Sequence, residues 1–369
     1  MVRTAIARRF GWVPLILLAI GGAATAQAPQ PGASAAGPAA HTLTNPLLPS
    51  GPDPWVIYRD GFFYYMNTTG ENLTIWKTRR IEDLGTAQKK VVWSPPETGP
   101  YSHDIWAPEL HFLRGKWYIY FAADERSNPT HRIFALENAA ADPTTGTWTF
   151  KGKLADPTDR WAIDPTILEE GKKDYVIWSG WEGTENGVQG IYIAELENPW
   201  TIRGKRTLLS HSDYPWEKVG DLPNARDPRE PLHVDVNEGP EILQHNGRTF
   251  LVYSADGCWT DYYELGMLTQ KPGSDPLQAS SWTKTPTPVF RGSETRGVYA
   301  PGHNAFFRSP DGKEDWILYH ANSGPGQGCD GQRSPRAQKF TWKPDGTPDF
   351  GEPISAGSPV PPPSGEATP

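Results

Sequence analysis

Five apolar runs stand out against a polar, turn-rich background: Phe62-Phe63-Tyr64-Tyr65, Trp117-Tyr118-Ile119-Tyr120, Tyr175-Val176-Ile177-Trp178, Phe250-Leu251-Val252-Tyr253 and Trp316-Ile317-Leu318-Tyr319. Each begins and ends on an aromatic residue. A turn precedes every copy: Asp60-Gly61, Gly115-Lys116, Gly171-Lys172, Asn246-Gly247 and Asp311-Gly312. Each run therefore predicts the second strand of a β-hairpin. Upstream lies a first strand whose start carries a proline or glycine: Asp53-Pro54, Ala107-Pro108, Asp164-Pro165, Gly239-Pro240 and Pro301-Gly302. The first residue of a strand is one of the few places a sheet tolerates proline.

The copies start 55, 58, 75 and 66 residues apart, with no convincing amphipathic helix between them. Repetition at that period predicts an all-β, five-bladed β-propeller, which leaves few exposed edges. A pair of β-sandwiches is the alternative. In a propeller the first strand of each unit lines a central channel. Asp53, the stretch Trp106–Glu109, Asp164, Glu238 and His303 would then meet at one mouth of it.

Composition narrows the picture. Gly (37) and Pro (38) make up about a fifth of 369 residues, too many for a helical bundle or a doubly wound sheet. The 16 Trp, 14 Tyr and 13 Phe argue equally against disorder. Residues 1–26 have the order of a secretory signal: Arg3, Arg8 and Arg9, the apolar run Val13–Ile20, then Ala24-Thr25-Ala26. That run is too short to span a bilayer. The chain is thus expected to be secreted or periplasmic, with no membrane contact after cleavage. Removing the signal leaves 32 basic against 43 acidic side chains, which offers no electrostatic reason to bind nucleic acid. Residues 27–40 read as a Pro/Ala/Gly-rich linker, 41–357 as the propeller domain and 358–369 as a frayed, Pro-rich tail. Cys258 and Cys329 are the only cysteines; neither belongs to a C-x-x-C, and export permits a disulfide between them.

Three carboxylates in one phase of the repeat suit glycosidic hydrolysis, in which one acid protonates the leaving oxygen and a second carboxylate activates water or attacks carbon. A third carboxylate nearby would keep the acid protonated. Taken singly, Asp53 and Asp164 also read as Asx turns before proline. A calcium cage has no D-x-D-x-D-G run to build it, and His303 would hold a hard cation at most through water. Among the tryptophans, Trp117, Trp178 and Trp316 sit in the repeated strand and suit packing. Trp55, Trp106, Trp181 and Trp259 lie beside channel or loop positions, where an indole serves equally as a sugar platform or a core anchor. There is no G-x-S-x-G, H-E-x-x-H or G-x-x-x-x-G-K, and Gly324–Gly328 reads as a loop.

Five segments in order, Gly51–Val56, His103–His111, Trp161–Thr166, Asn237–Glu241 and Pro301–Asn304, resemble glycoside hydrolase family 43, specifically its α-L-arabinofuranosidases. The resemblance runs from about Asn45 to Pro353. It implies an inverting hydrolase with Asp53 as general base, Glu238 as general acid and Asp164 raising and orienting that acid. Substrate contacts are expected from Trp55, Trp106, Glu109, Trp181, Trp259 and His303, which lie at or beside the channel-lining and loop positions. His303 would lie near ordered water or a calcium or sodium ion on the axis, with no cofactor required for the chemistry. A late arginine would reach the sugar; Arg333 and Arg336 both qualify, and Arg336 is preferred because it shares strand parity with Gln338. Arg226-Asp227-Pro228 resembles a motif of related fructosidases, whose N-D-P-N start and Glu-Cys acid are absent here. The implied activity is exo-acting release of L-arabinose from arabinan or arabinoxylan. A β-xylosidase, an endo-arabinanase and a non-catalytic sugar-binding propeller are the alternatives.

Overall fold

The structure is a computed structural model, and it describes residues 41–222 and 231–367. The expected signal segment at 1–26, the expected linker at 27–40 and Arg226–Pro228 lie outside the described residues. Among the described residues the chain is all-β, with only short 3₁₀ turns between strands, and no helix is long and apolar enough to cross a membrane.

The strands form five successive antiparallel units of four. Unit 1 comprises Trp55–Arg59, Phe62–Met66, Leu73–Thr78 and Gln88–Trp93; unit 2 comprises His103–Leu113, Lys116–Asp124, Arg132–Asn138 and Thr149–Leu154. Unit 3 comprises Ala162–Glu170, Lys173–Trp181, Val188–Asn198 and Thr201–Ser210. Unit 4 comprises Asp235–His245, Arg248–Ala255, Glu264–Gln270 and Trp282–Lys284; unit 5 comprises Tyr299–Arg308, Asp315–Asn322, Ser334–Trp342 and Pro348–Asp349. Units 3 and 4 are also joined by a short parallel pairing, Val188 with Asp235 and Gln189 with Val236.

Local chemistry explains the hairpins. Asp60-Gly61, Arg114-Gly115 and Asn246-Gly247 have positive φ at both positions, the turn whose twist matches the strands it joins. In unit 5 the connection is longer, running from Ser309 to Glu314. The repeated aromatic strands are buried on both faces, with alternate residues serving different neighbours. Trp117, Ile119 and Phe121 pack with unit 1, whereas Tyr118 and Tyr120 pack with unit 3. Ile317 and Tyr319 join a cluster with unit 4, whereas Trp316 and Leu318 pack with unit 1. Burying one such side chain is worth roughly 1.5–3 kcal/mol, so the seams between units carry much of the stability.

The first strands of successive units touch one another in a closed cycle, the last against the first. Their pairing is interrupted where the prolines stand: register shifts fall between Ile163 and Thr166, between Glu238 and Glu241, and on both sides of Trp106. At Asp53, Ala107, Asp164 and Gly239, each just before proline, φ lies between 42° and 55°. Such bulges bend a strand and re-aim its side chains. The bulge at Gly239 requires glycine doubly, because a Cβ there would come within 3.1 Å of the His303 ring.

Residues 358–367 are held rather than frayed, a correction to the tail expected at 358–369 over its described residues. Leu43 and Thr44 pair with Val360 and Pro359, and Gly357 donates its N–H to the Asn45 carbonyl. Ser364 donates its N–H to Glu314, and Glu366 accepts from the Ile81 N–H. Two paired residues suffice where the proline N–H is not needed, so a Pro-rich composition does not prevent docking.

Candidate active site

The bulges of units 3 and 4 and the positive-φ turn before the first strand of unit 1 bring Asp164, Glu238 and Asp53 to one pocket of about 430 Å3. Trp106, Trp161, Ile163, Gln189, Trp259, His303 and Arg333 also line it. Asp53 follows Gly51-Pro52 and is almost wholly buried. Its Oδ1 accepts from Arg333 Nη1 at 2.9 Å, its Oδ2 accepts from Thr68 Oγ1 at 2.6 Å, and its backbone N–H donates to His320 Nδ1 at 3.0 Å. His303 Nδ1 stands 3.3 Å from Oδ1. Burial pushes this carboxyl up, but Arg333, the two histidines and Thr68 outweigh it and hold Asp53 well below the usual carboxylate range.

Glu238 behaves oppositely. Burial and the Asp53 charge push it up to about 7, against the opposing pull of Tyr263, Arg333 and Gln189. Tyr263 donates its hydroxyl to Oε1 at 2.9 Å, and Gln189 donates from Nε2 to Oε2 at 3.3 Å. Asp164 is also pushed well above the usual carboxylate range by burial and by the charges of Glu238 and Asp53, although the Gly239 N–H donates to its Oδ2 at 3.0 Å. One carboxylate is thus kept ionised while two others on the same wall favour the protonated form.

The pocket rim is cross-linked. Cys258 and Cys329 form a disulfide that spans 71 residues and joins the loop after the second strand of unit 4 to the loop before Arg333. Trp259 follows the first cysteine and donates its indole N–H to the Asp221 carbonyl at 2.9 Å. Leu222 and Val234, on the two flanks of the long segment before Glu238, reach the pocket as well.

Four expected contacts are not there. Trp55 is buried against His111, with ring centroids 4.9 Å apart, and faces a separate cavity with Glu169 and Glu241. Glu109 lies further along its strand, 2.7 Å from His111. Trp181 is 2 % exposed and stacks behind Trp161 at 4.7 Å, so Trp161 takes the pocket position. Arg336 is fully buried, pairs in register with Tyr319 and donates to Ser323. Its parity with Gln338 sends it between units 4 and 5; Arg333 lies one residue before that strand begins, outside any parity rule, and is the arginine at the site. Trp161 stands in a segment that sequence alone singles out, three residues before Asp164. Thr68, Gln189, His320 and Tyr263 carry no such signal.

His303 Nδ1 lies 3.3 Å from Asp53 Oδ1. It faces Asp53 together with the Arg333 guanidinium, which would repel a metal there. Among the described residues no group of three or more His, Cys, Asp or Glu is placed to hold one.

Paired carboxyl groups of divergent protonation in a pocket with indole walls, on an all-β frame, define a glycoside hydrolase. The chain belongs to the glycosyl hydrolases of family 43, whose family model matches residues 43–348. Among its relatives, an extracellular exo-alpha-(1->5)-L-arabinofuranosidase of Streptomyces avermitilis is 38% identical over 351 residues, 93% of this chain and 69% of that protein. The Streptomyces chartreusis enzyme of the same description is 37% identical over 316 residues, covering 84% of this chain and 92% of that one. The crystal structure of an alpha-L-arabinofuranosidase from Lactobacillus brevis superposes with a TM-score of 0.78 at 34% identity, covering 86% of this chain and 98% of that one.

Proposed function

We propose that this protein is a secreted, inverting, exo-acting α-L-arabinofuranosidase that releases L-arabinose from arabinan or arabinoxylan. The observation that carries the mechanism is the split in protonation between Asp53 and Glu238. Asp53, held ionised by Arg333 and Thr68, is the general base that takes a proton from the attacking water. Glu238, protonated up to near neutrality, is the general acid that gives its proton to the leaving glycosidic oxygen. Asp164, which accepts from the N–H of Gly239 next to that acid, is assigned to orienting it. The steps are proton transfers and one water attack, so the chemistry calls for no cofactor.

The substrate class rests on the relatives' names, and the export route on the signal-like residues 1–26 together with the extracellular description of those relatives. The closed cycle of first strands supports reading the five units as blades of a five-bladed β-propeller, with the pocket at one mouth of its channel.

A panel of aryl α-L-arabinofuranoside, aryl β-D-xyloside and debranched arabinan tests the assignment. Turnover of the first substrate and of arabinan ends, with arabinose as the initial product, is expected. Preference for the xyloside would make the protein a β-xylosidase, and early release of long oligosaccharides would make it an endo-arabinanase. Proton NMR of fresh product should show the β-anomer; initial α-anomer would exclude inversion.

A further inference from the structure

A second cleft of about 490 Å3 opens beside the catalytic pocket, on the seam between units 4 and 5. Asp261, Tyr262, Tyr263 and Glu264 line one side of it, and Arg291–Glu294, Val298 and Tyr299 line the other, with Pro325 at its edge. The two cavities adjoin. Trp259 and Asp261, two residues apart, line one each, and so do Cys329 and Pro325. Tyr263 spans the partition, lining the cleft while its hydroxyl donates to Glu238 Oε1 at 2.9 Å. The cleft therefore lies about the length of one tyrosine side chain from the acid.

Both walls are pinned. Asp261 accepts from the Gly326 N–H with its two carboxylate oxygens, at 2.8 and 3.0 Å. Thr260 Oγ1 donates to the Gly257 carbonyl at 2.8 Å and accepts from the Tyr262 N–H at 3.2 Å. Across the cleft, Ser293 and Val298 exchange both of their backbone hydrogen bonds. Yet Tyr262, on the first of these fixed turns, is 66 % exposed, the one exposed Tyr, Trp or Phe among the described residues. Among the described residues none hydrogen-bonds the side chains of Tyr262, Glu264, Arg291 or Tyr299, which leaves two phenols, a carboxyl group and a guanidinium open to a ligand. A fixed aromatic face among uncommitted polar groups suits a neutral polyhydroxyl ligand, whose C–H surface stacks on the ring while its hydroxyls meet the polar rim. Asp261, Glu264 and Glu294 set against the single Arg291 disfavour an acidic polysaccharide.

We propose that this cleft is an accessory site for the arabinan chain, holding sugars outside the catalytic pocket, with Tyr262 as the platform and Arg291 binding hydroxyls from the other wall. Because both walls are already ordered, little conformational entropy is lost when a chain settles there. The proposal rests on reading the substrate as arabinan and adds to it where the polymer, rather than the cleaved sugar, is gripped.

Tyr262→Ala and Arg291→Ala test it; both side chains are exposed, so neither change should disturb folding. On debranched arabinan each is expected to raise KM about three- to tenfold with kcat nearly unchanged. On 4-nitrophenyl α-L-arabinofuranoside, whose one sugar occupies the catalytic pocket alone, both variants should stay within about twofold of the parent. An unchanged KM on arabinan would overturn the proposal. So would equal losses on both substrates, since the two residues would then act on the pocket through Tyr263. Affinity electrophoresis reads the cleft without turnover. A Glu238→Gln protein should be retarded by debranched arabinan, and adding Tyr262→Ala should remove most of that retardation, because an exo-acting pocket engages only the scarce chain ends. Equal retardation by polygalacturonate would overturn the chemistry assigned to the cleft. Failure of the underlying reading looks different: a parent enzyme that hydrolyses neither arabinan nor the aryl arabinofuranoside loses its substrate assignment, while retardation by arabinan still decides the cleft.

Discussion

The same first strands build two clusters of buried carboxyl groups, and only one of them contains a cation. In the pocket, Asp53, Asp164 and Glu238 share their surroundings with Arg333. Further along the first strands of units 2, 3 and 4, Glu109 and Glu241 lie with Thr166 and His111. Thr166 donates to Glu241 at 3.2 Å, and His111 lies 2.7 Å from Glu109. Burial pushes Glu109 and Glu241 both well above the usual range, and it pushes His111 down to about 4, so burial favours the uncharged form of all three. Burial alone therefore makes carboxyl groups alike. A guanidinium and a hydroxyl aimed at one of them makes a pair with different protonation, which is what acid–base chemistry requires.

Neutralising the carboxylates tests that contrast most severely. Asp53→Asn and Glu238→Gln should each lower kcat by about 10²–10⁴, whereas Glu241→Gln should stay within a few-fold of the parent. A large loss for Glu241→Gln, measured at saturating oligosaccharide, would erase the distinction between the clusters.

Only the pocket cluster is bordered by the disulfide. Cys258→Ser with Cys329→Ser should cost about 2–4 kcal/mol of stability in a denaturant titration, chiefly through the freed 71-residue loop. An unchanged midpoint would mean that the rim is held by its other contacts.

Arg333→Met removes the cation that makes the two clusters unlike. Asp53 should lose its strongest opposing charge and Glu238 one of its own, so both carboxyl groups titrate at higher pH. Both limbs of the pH–rate profile should then move upward, with kcat/KM at pH 5 falling by about tenfold relative to that at pH 7. An acid limb that stays in place would show that His303, His320 and Thr68 suffice to keep Asp53 ionised.

The smallest effect concerns the neutral cluster. Glu241 in the folded protein keeps a proton that the unfolded chain releases above about pH 4, so its contribution to stability declines as pH rises through that range and beyond. Glu241→Gln removes the decline. The variant should gain a few degrees in Tm over the parent at pH 8 and little or nothing at pH 4. A gain independent of pH would mean that Glu241 does not carry the extra proton.

The hairpins and the three carboxylates were legible because their causes are local. Asp60-Gly61 and Asn246-Gly247 set their own turns, Asp53 and Asp164 sit just before the proline of a repeated strand start, and Glu238 sits one residue earlier than that position. Trp55 and Trp181 illustrate the limit: an indole near a channel motif has the same local sequence whether it faces a sugar or another ring. Arg336 failed for a related reason. Alternation says which residues share a face, but not which neighbouring unit that face meets, nor that Arg333 falls outside the strand.

By itself, then, the sequence determined the strand repeat, the turn chemistry and the identity of the three converging acids, all of which follow from residues a few positions apart. The tertiary structure decided their protonation. Asp53 meets Arg333 across 280 positions, and Glu238 meets Tyr263 across 25 and Gln189 across 49. Electrostatic and hydrogen-bond energies depend on distance and burial in space, which no local pattern of residues encodes.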